Sequence, residues 1–295
     1  MKILISLSLL LTFMFSSELQ AQKIKGNATY KTQRKMEIHL DSSQMNDAMT
    51  ERLMAMLKKQ MEKEYALEFT EDESIYKEVP KLDDKGNHIG GGMQVEMVVV
   101  GGGEGDVLYK NTKEDRFANQ SENFSKQFLI KDQITKRDWV MEKETKNIGE
   151  YTCFKATYTY ERPMPRVMTR RTGPDVKKEE ENEEKEADVE QMETITVTAW
   201  YTPQIPVQNG PSAYGGLPGL ILEVNDAEMT ILCSKVVLNP SKGVNIKEPT
   251  AGKVVTQDEF DEIMEKKMDE MSERYESDSR RKSGDGNEIE IRIGG

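Results

Sequence analysis

The segment from Ala199 to Asn225, AWYTPQIPVQNGPSAYGGLPGLILEVN, constrains the fold of this chain more than any other stretch. Glycine reaches backbone angles that other residues adopt only with strain, and proline fixes φ and lacks an N–H donor. Four prolines and four glycines lie here between two strand-like runs, one aromatic and one aliphatic. The pattern predicts one rigid, irregular connection between two strands.

The first 21 residues have the three-part pattern of a secretory signal peptide. Lys2 precedes the apolar run from Ile3 to Phe15, and Leu19-Gln20-Ala21 suits cleavage after Ala21. The apolar run is too short to span a membrane. We expect residues 1–21 to be removed and residues 22–295 to form an exported chain without a transmembrane span.

Composition limits the classes of partner and the size of the core. The chain carries a formal net charge of −12, with 36% hydrophobic and 32% charged residues. Because an acidic chain repels phosphate backbones, nucleic acid is not expected as a partner. The polar composition predicts a single domain, residues 22–295, with a modest core and long solvated segments.

The two cysteines allow two interpretations. Cys153 and Cys233 each lie in an alternating, strand-like run. In an oxidising compartment they could form a disulfide, which would close a long loop. They could equally be two separate buried thiols, which behave as small hydrophobic groups. Sequence alone does not show whether the two lie within reach of each other.

Most of the chain has the alternation and turn spacing of an antiparallel sheet. The predicted strands are residues 26–32, a hairpin of 65–70 and 74–79, a meander of 107–111, 116–120, 126–130 and 139–141, a long strand of 151–160 paired with 194–202, and a strand of 229–238. Two amphipathic helices accompany them: one from Asp41 to about Tyr65, and one that opens with a capping box at Thr256 and Glu259. We therefore predict an α+β fold, a large curved antiparallel sheet with a few amphipathic helices on one face.

Residues 162–193 interrupt this pattern. The segment opens with prolines and a basic patch and closes on a run of glutamates and lysines. Such a composition buries too little apolar surface to offset the entropy of ordering. We predict a charged, disordered insertion between two paired strands.

The sequence carries no recognisable catalytic or metal-binding set, so we expect no enzyme activity, cofactor or metal. His39 and His88 have no metal-type spacing, and the glycine-rich stretches lack the Gly-Lys-Ser/Thr of a phosphate loop. Many of the 18 methionines fall on the apolar stripes of the predicted helices. They favour core packing, or a groove that adapts to varied apolar ligands.

The string Gly216-Leu217-Pro218-Gly219-Leu220-Ile221 resembles the signature of the GLPGLI family of exported Bacteroidota proteins. The resemblance extends to residues 45–64, 73–76, 148–156, 199–202, 205–206 and 210–211. It implies a family without an established activity and a Gram-negative envelope, hence the periplasm. By analogy at the level of the fold, such a sheet is similar to periplasmic lipoprotein carriers of the LolA/LolB type.

Two functions remain open from these observations. The first is a non-enzymatic periplasmic binding protein or carrier for a lipid-like ligand, a hydrophobic peptide or an envelope protein segment. Its ligand-binding rim would consist of Trp200, Tyr201, Pro211, Tyr214, Leu217 and Pro218, although the same turn could be purely architectural. The alternative is an envelope adaptor protein that docks a partner through the charged insertion and holds no cavity ligand.

Overall fold

Twelve β-strands form one continuous sheet in the computed structural model, which describes residues 23–34, 55, 62–80, 106–163, 192–227 and 229–281. The strands are β1 (Gly26–Arg34), β2 (Lys63–Phe69), β3 (Glu73–Glu78), β4 (Val107–Asn111), β5 (Arg116–Asn123), β6 (Lys126–Gln133), β7 (Val140–Ile148), β8 (Tyr151–Pro163), β9 (Met192–Thr202), β10 (Leu220–Asn225), β11 (Met229–Leu238) and β12 (Lys253–Val255). Their order across the sheet is β12-β6-β5-β4-β3-β2-β1-β11-β10-β9-β8-β7.

Local patterning accounts for most of the strands. In β1, Ala28, Tyr30 and Thr32 are buried, and the residues between them are more exposed, as expected when alternate side chains point to opposite faces. The predicted hairpin is confirmed as β2 and β3, paired with Leu67 opposite Tyr76. The predicted pairing of the long strand with the strand after the insertion is confirmed as β8 and β9.

The sheet must curl strongly because of one short connection. Residues 134–139 join β6 to β7, which lie ten strand positions apart in the sheet. A flat sheet would separate these strands by roughly 48 Å. Seven residue steps span at most about 25 Å. The two ends of the sheet must therefore be brought towards each other.

The helix α1 (Gln257–Arg281) follows β12, the strand that pairs in parallel with β6. The predicted capping box is present: Thr256 N donates to Glu259 Oε2 at 3.0 Å, and Glu259 N donates to Thr256 Oγ1 at 3.2 Å. Phe260 packs edge-on against Phe128, with ring centroids 5.4 Å apart. The first turns of α1 are thereby anchored on β6.

The predicted α+β fold class is wrong. The described residues are mostly β, in one mixed sheet, and α1 is the one long helix among them. The prediction of a few helices on one face counted a helix from Asp41 to about Tyr65. Most of that range lies outside the described residues, and β2 begins at Lys63, because cross-strand pairing with β1 takes these residues into the sheet. The LolA/LolB-type fold is not confirmed.

The main hydrophobic core lies between β1, β2 and the β8–β11 half of the sheet. Its largest fully buried side chains include Tyr30, Phe69, Leu217 and Ile221. Tyr30 Oη donates to the carbonyl of Ile221 at 2.7 Å, which satisfies the hydroxyl inside the core. Two smaller clusters lie on β4–β6, and one of them includes Phe128, Phe260 and Ile263 of the α1 interface.

Candidate functional site

The loop 203–219 joins β9 to β10 and is closed by its own backbone hydrogen bonds. Gly216 N donates to the Gln208 carbonyl at 3.2 Å, and Leu220 N donates to the Ile205 carbonyl at 2.9 Å. Gly216 has a φ of 83°, in the region that favours glycine. The irregular connection predicted from the glycines and prolines is therefore confirmed.

Lys110 on β4 fastens this loop to the opposite half of the sheet. Its Nζ donates to three backbone carbonyls, those of Gly210 at 3.0 Å, Ser212 at 2.8 Å and Tyr214 at 2.9 Å. Lys110 is only 4% exposed. Burial, together with the nearby Arg137 guanidinium, lowers the pKa of Lys110 to about 7. The three ammonium hydrogens thus match three carbonyls of the loop.

The segment between β6 and β7 holds the same loop from another side. Arg137 Nη1 donates to the Ala213 carbonyl at 2.8 Å, and its guanidinium lies 5.0 Å from the centroid of the Tyr214 ring. Trp139 Nε1 donates to the Gly215 carbonyl at 3.0 Å. Successive loop carbonyls therefore each have a side-chain donor, and the loop is preorganised by residues distant in sequence.

The structure brings the predicted rim residues together but buries several of them. Trp200 is 8% exposed, and Tyr201 and Leu217 belong to the same buried core. Pro211 is also buried, Tyr214 is half-buried, and Pro218 is exposed. A ligand could reach Tyr214 and Pro218 directly, but contact with Trp200 or Leu217 would require displacing core side chains. Their role in ligand binding stays a prediction.

Both cysteine thiols are free and buried. Cys153 on β8 and Cys233 on β11 belong to the main core and form no disulfide. Burial raises the pKa of each thiol to about 11, so the reactive thiolate is scarce at neutral pH.

We expect neither thiol to react with iodoacetamide in the native protein at about pH 8, because access and thiolate are both lacking. After unfolding in urea without reductant, intact mass should show two added carbamidomethyl groups. A chain that is alkylated only after reduction would establish the disulfide instead.

A cleft of about 450 Å³ opens between α1 and the β5–β6 hairpin. Its apolar surface comes from Phe124, Phe128, Ile263 and Met271. Phe128 is buried at the base, whereas Phe124 is 42% exposed and Met271 39% exposed. Phe260 and Ile263 of α1 pack against β6, and Met271, two turns later, lines the cleft and is partly exposed.

Cationic side chains surround this apolar surface. Lys126, Lys253, Lys267 and Arg274 line the cleft together with one carboxylate, Glu270. Lys267 Nζ hydrogen-bonds Glu270 Oε2. This hydrogen bond lowers the pKa of Glu270, with smaller contributions from Arg274 and Lys126. A carboxylate in the cleft is therefore stabilised as an anion.

Sequence reasoning missed Lys110 and the cleft. Lys110 is one of 41 Lys and Arg residues, and nothing in its local pattern, Val-Leu-Tyr-Lys-Asn, distinguishes it from a solvated lysine. The signal for the cleft was present in Asn123-Phe124-Ser125-Lys126. An aromatic residue occupies a two-residue hairpin turn there, where glycine, asparagine or aspartate is the usual choice.

Among the described residues there is neither a metal-binding cluster nor a helix able to cross a membrane. Those residues contain no group of three or more His, Cys, Asp or Glu side chains placed to hold a metal ion. Among them, no helix has the length and apolar character needed to cross a bilayer.

Comparisons with known proteins give one family match and distant structural neighbours. The model of a family described as "Protein of unknown function (Porph_ging)" matches residues 139–223, from β7 to the start of β10. The match supports likeness to a family of unknown function, but not the GLPGLI name. No curated protein matches the chain.

Two solved structures of PNGF-II, in the C2 and P21 space groups, each align with 81% of this chain. Their sequence identities are 13% and 15%, and their TM-scores are 0.43 and 0.41. The chain spans about a third of the length of those structures, 32% and 33%.

Proposed function

We propose that this protein is an exported, non-enzymatic binding protein that holds an apolar ligand in the cleft between α1 and the β5–β6 hairpin. The observation that supports the proposal is an open cleft with an apolar surface, formed by Phe124, Phe128, Ile263 and Met271. Its volume of about 450 Å³ lies in the range of pockets that take small organic ligands.

The exposed apolar side chains favour a binding role for this surface. Water contact with Phe124 and Met271 is unfavourable in the free protein and would be relieved by an apolar ligand. Methionine repacks readily around ligands of different shape, which suits a site of broad specificity. The loop 203–219 would then serve the fold, since Lys110, Arg137 and Trp139 hold its carbonyls in place.

Export and the periplasm are the parts of the proposal that rest on sequence. Their support is the signal-peptide pattern of residues 1–21 and the resemblance of residues 216–221 to the GLPGLI signature. A non-enzymatic role is supported by the lack of any recognisable catalytic motif in the sequence.

A neutral fluorescent probe tests the proposal. N-phenyl-1-naphthylamine, whose emission rises when it leaves water, is expected to bind the wild-type protein and to lose at least about tenfold in affinity in Met271→Glu. This loss corresponds to about 1.4 kcal/mol, within reach of a charge placed on an apolar contact surface.

The matched control is Met268→Glu. Met268 lies on the same helix and has the same exposed fraction, 39%, as Met271, but it does not line the cleft. Both substitutions change the net charge equally, and we expect Met268→Glu to leave probe affinity unchanged. Absence of saturable binding to the wild type, or equal losses in the two variants, would overturn the proposal.

A further inference from the structure

We propose that the ligand of this cleft is an anionic amphiphile, a long-chain fatty acid whose aliphatic chain lies on Phe124 and Met271 and whose carboxylate meets the surrounding cations. This inference rests on the proposed function, because it specifies the ligand of the same site.

The charge around the cleft is opposite to that of the whole chain. The protein has a net charge of −12, yet four cationic side chains line the cleft against one carboxylate. Cations placed around an apolar surface favour a ligand that carries both an aliphatic part and a negative charge. A neutral lipid would gain nothing from this excess of positive charge.

Glu270 shows that the cations of the cleft stabilise a carboxylate. It accepts a hydrogen bond from Lys267, and the charges of Arg274 and Lys126 also favour its anionic form. The same three side chains are therefore within electrostatic range of a single carboxylate position. Lys253, from β12, is the fourth cation that lines the cleft.

The β5–β6 turn carries an aromatic residue in an unfavourable backbone conformation. Asn123 pairs with Lys126, so Phe124 and Ser125 are the two turn residues, with φ values of 51° and 58°. Such turns favour glycine or asparagine, and a bulky residue with positive φ is strained. Phe124 is nevertheless largely exposed and lines the cleft. A strained backbone at an exposed aromatic residue indicates that the Phe124 side chain contacts a ligand that is absent from the free protein.

The size of the cleft favours a single amphiphile over a peptide segment. A peptide recognised through a groove or a sheet edge engages an extended row of contacts. Here the cleft is a short space of about 450 Å³ between one helix and one hairpin. One aliphatic chain with one headgroup matches both this volume and the combination of apolar and cationic side chains that line the cleft.

Competition among three ligands of equal chain length tests the inference. Laurate and dodecyltrimethylammonium, below their micelle concentrations, and dodecanol, below its solubility limit, are titrated against protein carrying N-phenyl-1-naphthylamine. We expect laurate to displace the probe roughly tenfold more tightly than dodecanol, with the cation weakest. Increasing ionic strength should reduce the laurate advantage.

The three outcomes separate the two proposals. Equal affinity for laurate and dodecanol, or tighter binding of the cation, would overturn the anionic inference and leave the apolar site in place. Failure of the probe to bind would overturn the proposed function itself.

The double variant Lys126→Gln/Lys253→Gln should lose the laurate advantage and keep its dodecanol affinity. An unchanged laurate advantage in that variant would contradict the role of these two lysines.

A matched pair of turn variants tests the role of Phe124. Phe124→Asn and Ser125→Gly both place a favoured residue at positive φ, so each should raise the midpoint of thermal unfolding by about 2–4 °C. Only Phe124→Asn removes a residue that lines the cleft, so only this variant should bind laurate at least about fivefold more weakly. Unchanged laurate affinity in Phe124→Asn would show that Phe124 makes no ligand contact.

Discussion

Replacing Lys110 with methionine is expected to lower the free energy of unfolding by about 2–4 kcal/mol. Methionine keeps the apolar stem but removes the donor that three carbonyls of the loop 203–219 share. An unsatisfied buried carbonyl costs about 1–3 kcal/mol. The full cost of an unsatisfied carbonyl applies to Gly210, whose hydrogen bond is buried. The partly buried carbonyls of Ser212 and Tyr214 can bind water instead. Urea unfolding monitored by circular dichroism measures the change.

Lys113→Met is the control for this prediction. Lys113 follows β4 closely and is exposed, so its replacement should change the free energy of unfolding by no more than about 0.5 kcal/mol. Equal stability of the Lys110 and Lys113 variants would contradict the anchoring role of Lys110. Hydrogen exchange should also increase at Gly216 and Ile221 in Lys110→Met, because their amides close the loop.

The pH dependence of stability gives Lys110 a second signature. Its pKa is lowered to about 7 in the folded protein, against an ordinary value of 10.5. Between about pH 7 and pH 10.5, Lys110 is protonated in the unfolded chain and deprotonated in the folded protein. The free energy of unfolding therefore rises with pH, by at most about 1.4 kcal/mol per unit. The difference between wild type and Lys110→Met should widen between about pH 7 and pH 9; a constant difference would show that Lys110 stays charged.

Gly219→Ala is expected to destabilise the protein by at least about 3 kcal/mol, beyond the usual range for overpacking. A Cβ at this position would lie 2.2 Å from the Thr202 carbonyl oxygen and 2.9 Å from the Pro203 nitrogen. Both contacts are backbone atoms at the end of β9, so no side chain can move aside. Either the loop 203–219 or the pairing of β9 with β10 must shift. Urea unfolding and soluble yield report the effect.

Gly216→Ala is the informative comparison for Gly219→Ala. Gly216 has positive φ, but a Cβ there meets nothing within 4 Å. Alanine should therefore cost only the strain of the left-handed conformation, about 1–2 kcal/mol. If the two alanine variants were equally stable, the close approach of Gly219 to Thr202 would not constrain this fold.

Local patterns predicted the elements that depend on neighbours in sequence. The β2–β3 hairpin, the β8–β9 pair and the capping box of α1 were correct, because alternation, turn residues and cap residues act within a few positions. The helix predicted to about Tyr65 ran too far. Tyr65 follows Met61 by four residues, which is helical spacing, but pairing with β1 places Lys63 to Tyr65 in a strand. Cross-strand contacts can override local preference in this way.

The candidate sites likewise combine features that the local sequence predicted with features that only the tertiary structure determined. The residues of the loop 203–219 could be identified from their glycines and prolines, but their burial could not. Trp200 and Leu217 were expected at a rim and lie in the core, since the curled sheet covers them. The cleft combines the β5–β6 turn with β12 and α1, which follow that turn by more than a hundred residues. No local pattern reports such a combination.

The sequence by itself determined most of the strands, the start of α1 and the irregular connection at residues 203–219, because these follow from backbone preferences and side-chain periodicity. Only the tertiary structure decided the order of the strands, the curl of the sheet and the partners of Lys110. The physical reason is that a lysine in a strand is expected to be solvated. Only the folded structure shows that three carbonyls of the distant loop 203–219 surround Lys110. The cleft likewise forms where residues of α1 from Ile263 onward face the β5–β6 hairpin, a geometry set by packing on β6.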